Sequence, residues 1–562
     1  MKTKCRNKAL SFGLVLMLGL SGPLSGCAAP EGSSHQDSSP VSSQESSSAV
    51  EESLSTSESS AAPSDSVEIT YPVADASTLT WGMSTSSSWN DRYDTFADIP
   101  LGKALQEMTG YKLEMVHVEN STAMNLLIAG GELPDIISFS FAGNYSGGEE
   151  KALSDGIVMG LDEAFLKENA PDYWAVLNSN PDYLKQAKTP SGPIFGFSFI
   201  VGDELLKGGY GLIIRDDWCE ELKIGIPQTA GEFYNMLKAF KEQKGISYPL
   251  CVRSGDLGSM MDRGVITSPF NLVTRDVYVD NGTVKIGYYQ AEYKDVLAWL
   301  NQLYTEELLD INFTTLDSDT VAANMLTGLA GASAGAAGSI LGTWLNTNKD
   351  AENYSLMGIK NLVAKQGDTP LYGHYNNDFP GNASVITSDC ADPAAAAKFL
   401  NFGYTEAGHI LYNFGVENES YTLVDGSPVY TDLVLNNPAG LTVKQALSEY
   451  QLAYGNGPFV QDKNYLLQYY STDEQKEALV NWTDNQARNY KLPRITISAA
   501  NNAEYATLRN DIQTYRDEMT IDFIKGNRSL DEFDSYMSTL KSMGIERLIE
   551  IYSEAVAEYN SR

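Results

Sequence analysis

The sequence predicts an α/β protein whose C-terminal third is mostly helical. Strands alternate with amphipathic helices between residues 79 and 137, and three helical patterns fill 504–559. Between them lies a second strand-and-helix region, 211–304, so the chain has material for two domains.

The first element is a leader. Lys2, Lys4, Arg6 and Lys8 precede an apolar run, 9–20, too short for a convincing membrane span. Leu24-Ser25-Gly26-Cys27 then resembles a bacterial lipobox, whose cysteine would carry a diacylglycerol, making 1–26 a lipoprotein signal peptide. From 31 to 66 the chain is mostly Ser, Glu, Ala and Gln, with no aromatic residue, Lys or Arg. Such a segment buries too little apolar surface to offset its ordering entropy, so 27–67 reads as a disordered tether. About 40 flexible residues reach on the order of 35 Å.

In the body, the segments 79–83, 111–118 and 135–137 read as strands, and Leu101 to Met108 and Met124 to Ala129 as helices. The segment 211–215 is a further strand. Thr229 and Glu232 form a capping box for a helix with Phe233, Met236, Leu237 and Phe240 on one face. Asp280-Asn281-Gly282-Thr283 signals a hairpin, and Tyr293 to Tyr304 a helix. The Gly- and Ala-rich run 328–342 is expected to feed a strand ending near Trp344. Further helices are expected over 392–404, 504–524, 529–543 and 545–559, with Ser529 and Glu532 as a second capping box and Gly544 as a C-cap.

Composition narrows the function classes. A formal charge of −34 repels nucleic acid and excludes phosphate tracking. Cys219, Cys251 and Cys390 allow one optional disulfide at most. Gly331-Ala332-Ser333-Ala334-Gly335 has the spacing of a nucleophile elbow, but a helix precedes it and a strand follows, the reverse of what an elbow needs. His35, His117, His374 and His409 lack metal-ligand spacing, and no Gly-rich phosphate loop with its lysine occurs. No enzyme, cofactor or metal is expected.

Several motifs together resemble family 1 extracellular solute-binding proteins. Leu126-Leu127-Ile128-Ala129-Gly130-Gly131-Glu132-Leu133-Pro134-Asp135-Ile136-Ile137 is similar to that family's Gly-Asp-Leu-Pro-Asp-Ile signature. Arg215-Asp216-Asp217-Trp218 with Leu222 and Ile226-Pro227, Glu306-Glu307-Leu308-Leu309-Asp310, and Thr405-Glu406-Ala407-Gly408 within 395–421 match further elements. So do Tyr515, Asp517, Glu518 and Met519 with Phe523-Ile524 and Gly526. The resemblance runs from about 79 to 559 and is nearest to the long LplA-like lipoproteins of Gram-positive bacteria.

It implies a two-lobed periplasmic-binding-protein-like fold of type II, its lobes joined by a multi-crossover hinge: 68–207 plus 350–425 as lobe 1, 208–349 plus 426–562 as lobe 2. The implied function is capture of a carbohydrate, of oligosaccharide type, for an ABC permease by a monomer anchored at Cys27 to the extracellular membrane face. A peptide or other small molecule on the same fold is the alternative, and a surface polysaccharide hydrolase a weaker one. Many long relatives carry a calcium loop after the helix that ends here near Phe240, but Lys241 to Tyr248 offers one carboxylate, far short of six to eight oxygens.

With 7 Trp and 32 Tyr, aromatic type cannot choose a sugar site, so position must. Trp89 follows the first strand, Asn144 and Tyr145 follow the strand at Ile136-Ile137, and Trp344 ends the Gly-rich run. Tyr375, Asn376 and Asp378 lie where the chain should recross the hinge. Trp218 reads as a structural anchor.

Overall fold

Leu79, Trp81 and Met83, at a spacing of two, bury one face of the first strand, β1 (Thr78–Ser84). The computed structural model describes residues 67–84, 88–452 and 457–562; the leader, Cys27 and the tether up to residue 66 lie outside the described residues. Helix Pro100–Thr109 follows, with Pro at its first turn and Gly110 left-handed (φ 86°) at its C-cap. Next come β2 (Lys112–Val118), helix Ser121–Gly130 capped by the Asn120 side chain, and β3 (Ile136–Phe139), in the order the alternation predicts.

The signature before β3 acts as a strap. Asp135 accepts from the Thr80 N–H at 2.8 Å and the Thr80 hydroxyl at 2.7 Å, while its own N–H donates back to that hydroxyl at 2.8 Å. Burial opposes the carboxylate, but these bonds outweigh it and hold Asp135 below its ordinary value.

The later strands are β4 (Phe197–Ser198), β5 (Ile200–Val201), β6 (Tyr210–Ile214), the hairpin β7 (Val277–Asp280) and β8 (Thr283–Ile286), β9 (Ala332–Ala336), β10 (Met357–Gly358), β11 (Ala383–Ile386), the hairpin β12 (Tyr421–Val424) and β13 (Ser427–Tyr430), and β14 (Val460–Gln461). One sheet has the order β2-β1-β3-β11-β4, with β1 parallel to β2 and β3, and β11 antiparallel to both its neighbours. The second large sheet has the order β10-β6-β9, all antiparallel, and β5 with β14 forms a short parallel pair in addition to the two hairpins.

Each sheet has its own apolar core. The first gathers Trp81, Ile136, Tyr173, Phe197, Phe399 and Tyr412; the second Leu212, Phe233, Phe240, Leu297, Phe523 and Tyr536. The Thr229–Glu232 capping box forms as expected, opening helix Ala230–Lys244. Arg215 chelates Asp217 at 2.8 and 2.6 Å and stacks over Trp218 at 4.4 Å and Tyr354 at 4.5 Å, an anchor for the turn after β6.

Three expectations fail locally. β9 ends at Ala336, and Trp344 lies not at a strand end but in a short helix, Thr343–Thr347, after a π-helical turn, Ala337–Gly342. Gln475 donates to the Ala337 carbonyl at 3.0 Å, and a Cβ at Gly342 would strike its amide, so small residues here permit a turn rather than extend a strand. Ser529 caps the N–H of Asp531 instead of sharing a box with Glu532, giving a 3-10 turn before helix Phe533–Ser542.

The third concerns the division of the chain. β10 is an edge strand on β6, and Ile359 and Leu362 join the second core, whereas Tyr430, Val434, Leu447, Phe459 and Tyr465 pack into the first. The cores therefore exchange chain near 379 and 465 rather than at 350 and 425. No change of composition marks these points.

Candidate functional site

The main chain passes between the cores three times among the described residues: from Leu206 to Tyr210, from Leu362 to Phe379, and from Tyr465 to Tyr470. The first passage leads from the carboxyl end of β4 and β5 to the amino end of β6, where Tyr210 pairs with Ala336 at the carboxyl end of β9. The first sheet thus turns strand carboxyl ends toward the crossovers, the position where open α/β sheets hold ligands, and the second presents the end that carries Tyr210 and Ala336.

The crossovers bring together a polar and aromatic cluster. Lys207 donates to Asp378 at 2.7 Å and to Glu204 at 2.7 Å, and both members of the Lys207–Asp378 pair are buried. Gln186 donates to Asp378 at 3.2 Å, and the N–H of Asn376 donates to the Lys207 carbonyl at 2.9 Å. Tyr375 donates its hydroxyl to Glu204 at 2.8 Å, with the ammonium groups of Lys207 and Lys491 5.5 and 5.0 Å from its ring. Arg488 closes the group through Glu204.

Burial by itself would neutralise Lys207 and Asp378. Their mutual bond, helped by Glu204 and Gln186, outweighs it, so Lys207 is held above and Asp378 below its ordinary value. Burial lowers Lys491, and burial with Arg263 nearby pushes His374 down to about 3.

The sequence-chosen residues meet different fates. Tyr375, Asn376 and Asp378 belong to this cluster. Asn144 ends a short helix, Phe141–Asn144, past the carboxyl end of β3, its amide donating to the Ser140 carbonyl at 3.1 Å. Tyr145 beside it donates to Asp155 at 2.9 Å; burial and that carboxylate push its hydroxyl up to about 12. Trp89 is 3 % exposed, edge-on to His117 with centroids 5.8 Å apart, inside the first core. Trp344 is also 3 % exposed, packed among Leu341, Leu356 and Trp482.

Sequence reasoning missed Glu204, Lys207, Gln186, Arg488 and Lys491. The polar run 373–378 was the one local signal, and its partners lie more than a hundred residues away.

Elsewhere the chemistry is structural. Ser333 is buried mid-strand and donates to the Cys251 carbonyl at 2.7 Å. After Phe240, Gly245 caps the helix in the left-handed region and Lys241 donates to the Glu306 carbonyl at 2.8 Å and to Glu307 at 2.9 Å. Among the described residues no group of three or more His, Cys, Asp or Glu is placed to hold a metal ion. Cys219, Cys251 and Cys390 are free, and burial pushes their thiols up to about 12, 11 and 12.

Known proteins share this architecture. Lipoprotein LipO of Bacillus subtilis (strain 168) is 26% identical over 368 residues, 63% of this chain and 70% of that protein. The alginate-binding protein AlgQ2, solved without calcium ion, superposes with a TM-score of 0.65 at 22% identity, covering 87% of this chain and 100% of that one. The S. pneumoniae ABC-transporter substrate-binding protein FusA, in complex with kestose, gives a TM-score of 0.65 at 19% identity, covering 86% and 99%. These likenesses show a two-lobed periplasmic-binding-protein-like fold. A family model described as bacterial extracellular solute-binding protein matches residues 93–410, more than half the chain. With its three crossovers, two sheets and that match, the chain belongs to the bacterial extracellular solute-binding proteins, a family of binders rather than enzymes.

Proposed function

We propose that this protein is the substrate-binding lipoprotein of an ABC importer, capturing a carbohydrate, of oligosaccharide type, in the cleft between its lobes for delivery to the permease. The crossover cluster carries the reading: Tyr375 offers an aromatic face, and Asp378, Lys207 and Glu204 hold fixed charges where the lobes meet. Sugars present an apolar face and a rim of hydroxyls, which aromatic and charged groups engage together. Alginate and kestose, named for two proteins of this fold, support the class.

A ligand held from both lobes favours the closed state. Kestose, alginate oligosaccharides, maltotriose and short peptides form a discriminating panel for thermal shift and scattering. A binding saccharide at 100 times its Kd stabilises by about 2.7 kcal/mol and shrinks the radius of gyration by about 1 Å. Stabilisation by peptides with none by any saccharide would replace the reading with peptide capture; release of shorter sugars on incubation would replace it with hydrolysis.

The anchor belongs to the same reading. Cys27→Ala blocks diacyl transfer, so the variant is released or left uncleaved, and radioactive palmitate incorporated by that variant would refute attachment at Cys27.

A further inference from the structure

Two helices, one rooted in each core, end against one another. Helix Pro181–Ala187 buries Tyr183 and Ala187 in the first core, and helix Ile545–Ser561 buries Ile545, Leu548, Tyr552 and Val556 in the second. The last carbonyls of a helix find no donor within it, and a lysine or arginine is a suitable cap. Here each helix caps the other. Arg562 donates to the carbonyls of Lys185, at 3.1 Å, and Lys188, while Lys185 donates back to the Asn560 carbonyl at 3.3 Å. Arg494, between Leu492 and Ile495 that pack on the second core, donates to the Gln186 carbonyl at 2.6 Å and pairs with Glu149 of the first lobe. The Phe195 N–H takes the remaining carbonyl, that of Ala187, at 3.1 Å. All four carbonyls from 185 to 188 are thus engaged, three of them by arginines of the other lobe.

Surface ion pairs contribute little, but these groups are enclosed. The Arg562 side chain is 4 % exposed and is braced by Glu558, whose oxygens lie 2.9 and 3.1 Å from its Nε. Glu149 is 3 % exposed and Arg494 12 %. A charge so placed needs its partners, and parting the lobes here would strip both arginines of acceptors on the other side. Asn502 adds a bond to the Gly147 carbonyl at 2.9 Å on the same flank. Gln186 ties the contact to the crossovers, since its side chain donates to Asp378 while its carbonyl receives Arg494. Lobes joined at three crossovers can still twist and swing. A rigid contact beside those crossovers removes part of that freedom.

We propose that Arg494 and Arg562 are positioning residues for ligand capture: they fix how the two lobes face one another before a ligand arrives. The proposal rests on the two-lobed binding fold and holds whether the ligand is a saccharide or a peptide.

Pulsed dipolar spectroscopy tests it in the ligand-free protein. Nitroxides carried by a ketone-bearing amino acid at Glu114 and Lys238, exposed positions of the first and second lobes, read the interlobe distance and leave the native cysteines unlabelled. Arg494→Gln combined with Arg562→Gln should broaden the distance distribution about twofold relative to the parent. If that variant does not fold, Arg562→Gln alone is read in the same way. Leu105→Ala, which opens a cavity in the first core and belongs to none of these contacts, should keep the parent's width. A parent-like width in the folded arginine variant, or equal broadening in Leu105→Ala, overturns the proposal. Whichever of kestose, maltotriose, alginate oligosaccharides or short peptides stabilises the parent should bind the arginine variant about fivefold more weakly; equal affinity would overturn the positioning role.

Discussion

The apolar nest around Trp344 and the charged cluster around Lys207 are both buried, and they are held in place for opposite reasons. Trp344 lies in one buried apolar cluster with Leu341, Leu356 and Trp482, so its contribution is area removed from water and a volume filled. Lys207 and Asp378 lose hydration on burial and are stable only as partners. One site tolerates another apolar side chain of similar volume; the other tolerates no change that leaves one charge alone. The aromatic residues divide the same way: Trp89 and Trp344 are packing, while the Tyr375 ring has two ammonium groups 5.5 and 5.0 Å from its centroid and its hydroxyl on a carboxylate.

The largest expected effect breaks the apolar side. Trp344→Ala should cost about 3–5 kcal/mol from lost burial and the cavity left behind, read from urea unfolding of the ligand-free protein. A variant with unchanged stability and weakened sugar binding would reverse the assignment and restore Trp344 as a stacking platform.

Next comes the charged side. Asp378→Ala leaves Lys207 buried with Glu204 alone and should cost about 2–3 kcal/mol. The pair also sets a pH window. Because Asp378 is held below its ordinary value, its contribution is full above about pH 4 and disappears as pH falls through the folded value. Lys207, held above its ordinary value, keeps its contribution until pH rises past about 10.4. An Asp378→Asn protein whose unfolding midpoint falls between pH 5 and 3 as steeply as the parent's would show that the pair does not govern acid stability.

The smallest effect sharpens the comparison at its border. His374, at the second crossover, is kept neutral by burial, so the unfolded chain binds a proton that the native state refuses. Stability is then full well above about pH 6.5 and declines as pH falls, by about 1 kcal/mol near pH 6 and about 2 kcal/mol near pH 5. His374→Gln should flatten that shallow limb and leave the steeper carboxylate limb below pH 4 in place. Identical midpoints for parent and variant from pH 7 to 5 would remove His374 from the account.

Local physics made much of the fold legible. Apolar alternation gave β2 and short apolar runs gave β1 and β3, the Asp280-Asn281-Gly282-Thr283 turn gave the β7–β8 hairpin, and the Thr229–Glu232 box opened its helix, because each depends on residues within one or two turns of chain. The errors fell where a distant residue decided. Gln475 bonds the Ala337 carbonyl across a separation of 138 residues, turning the chain before Trp344. Strand β10 joins β6 as an edge, moving one boundary between the lobes, with no local sign of it.

The candidate site divides along the same line. The polar run 373–378 announced that something other than core lay there. Its partners did not: Glu204 meets Tyr375 across 171 residues, Gln186 meets Asp378 across 192, and Arg488 meets Glu204 across 284. By itself the sequence determined strands, helices, caps and the family motifs, all set by short-range periodicity and hydrogen bonding. Only the tertiary structure decided which aromatic residues are core and which charges share the crossovers, because burial and Coulomb pairing depend on distance in space.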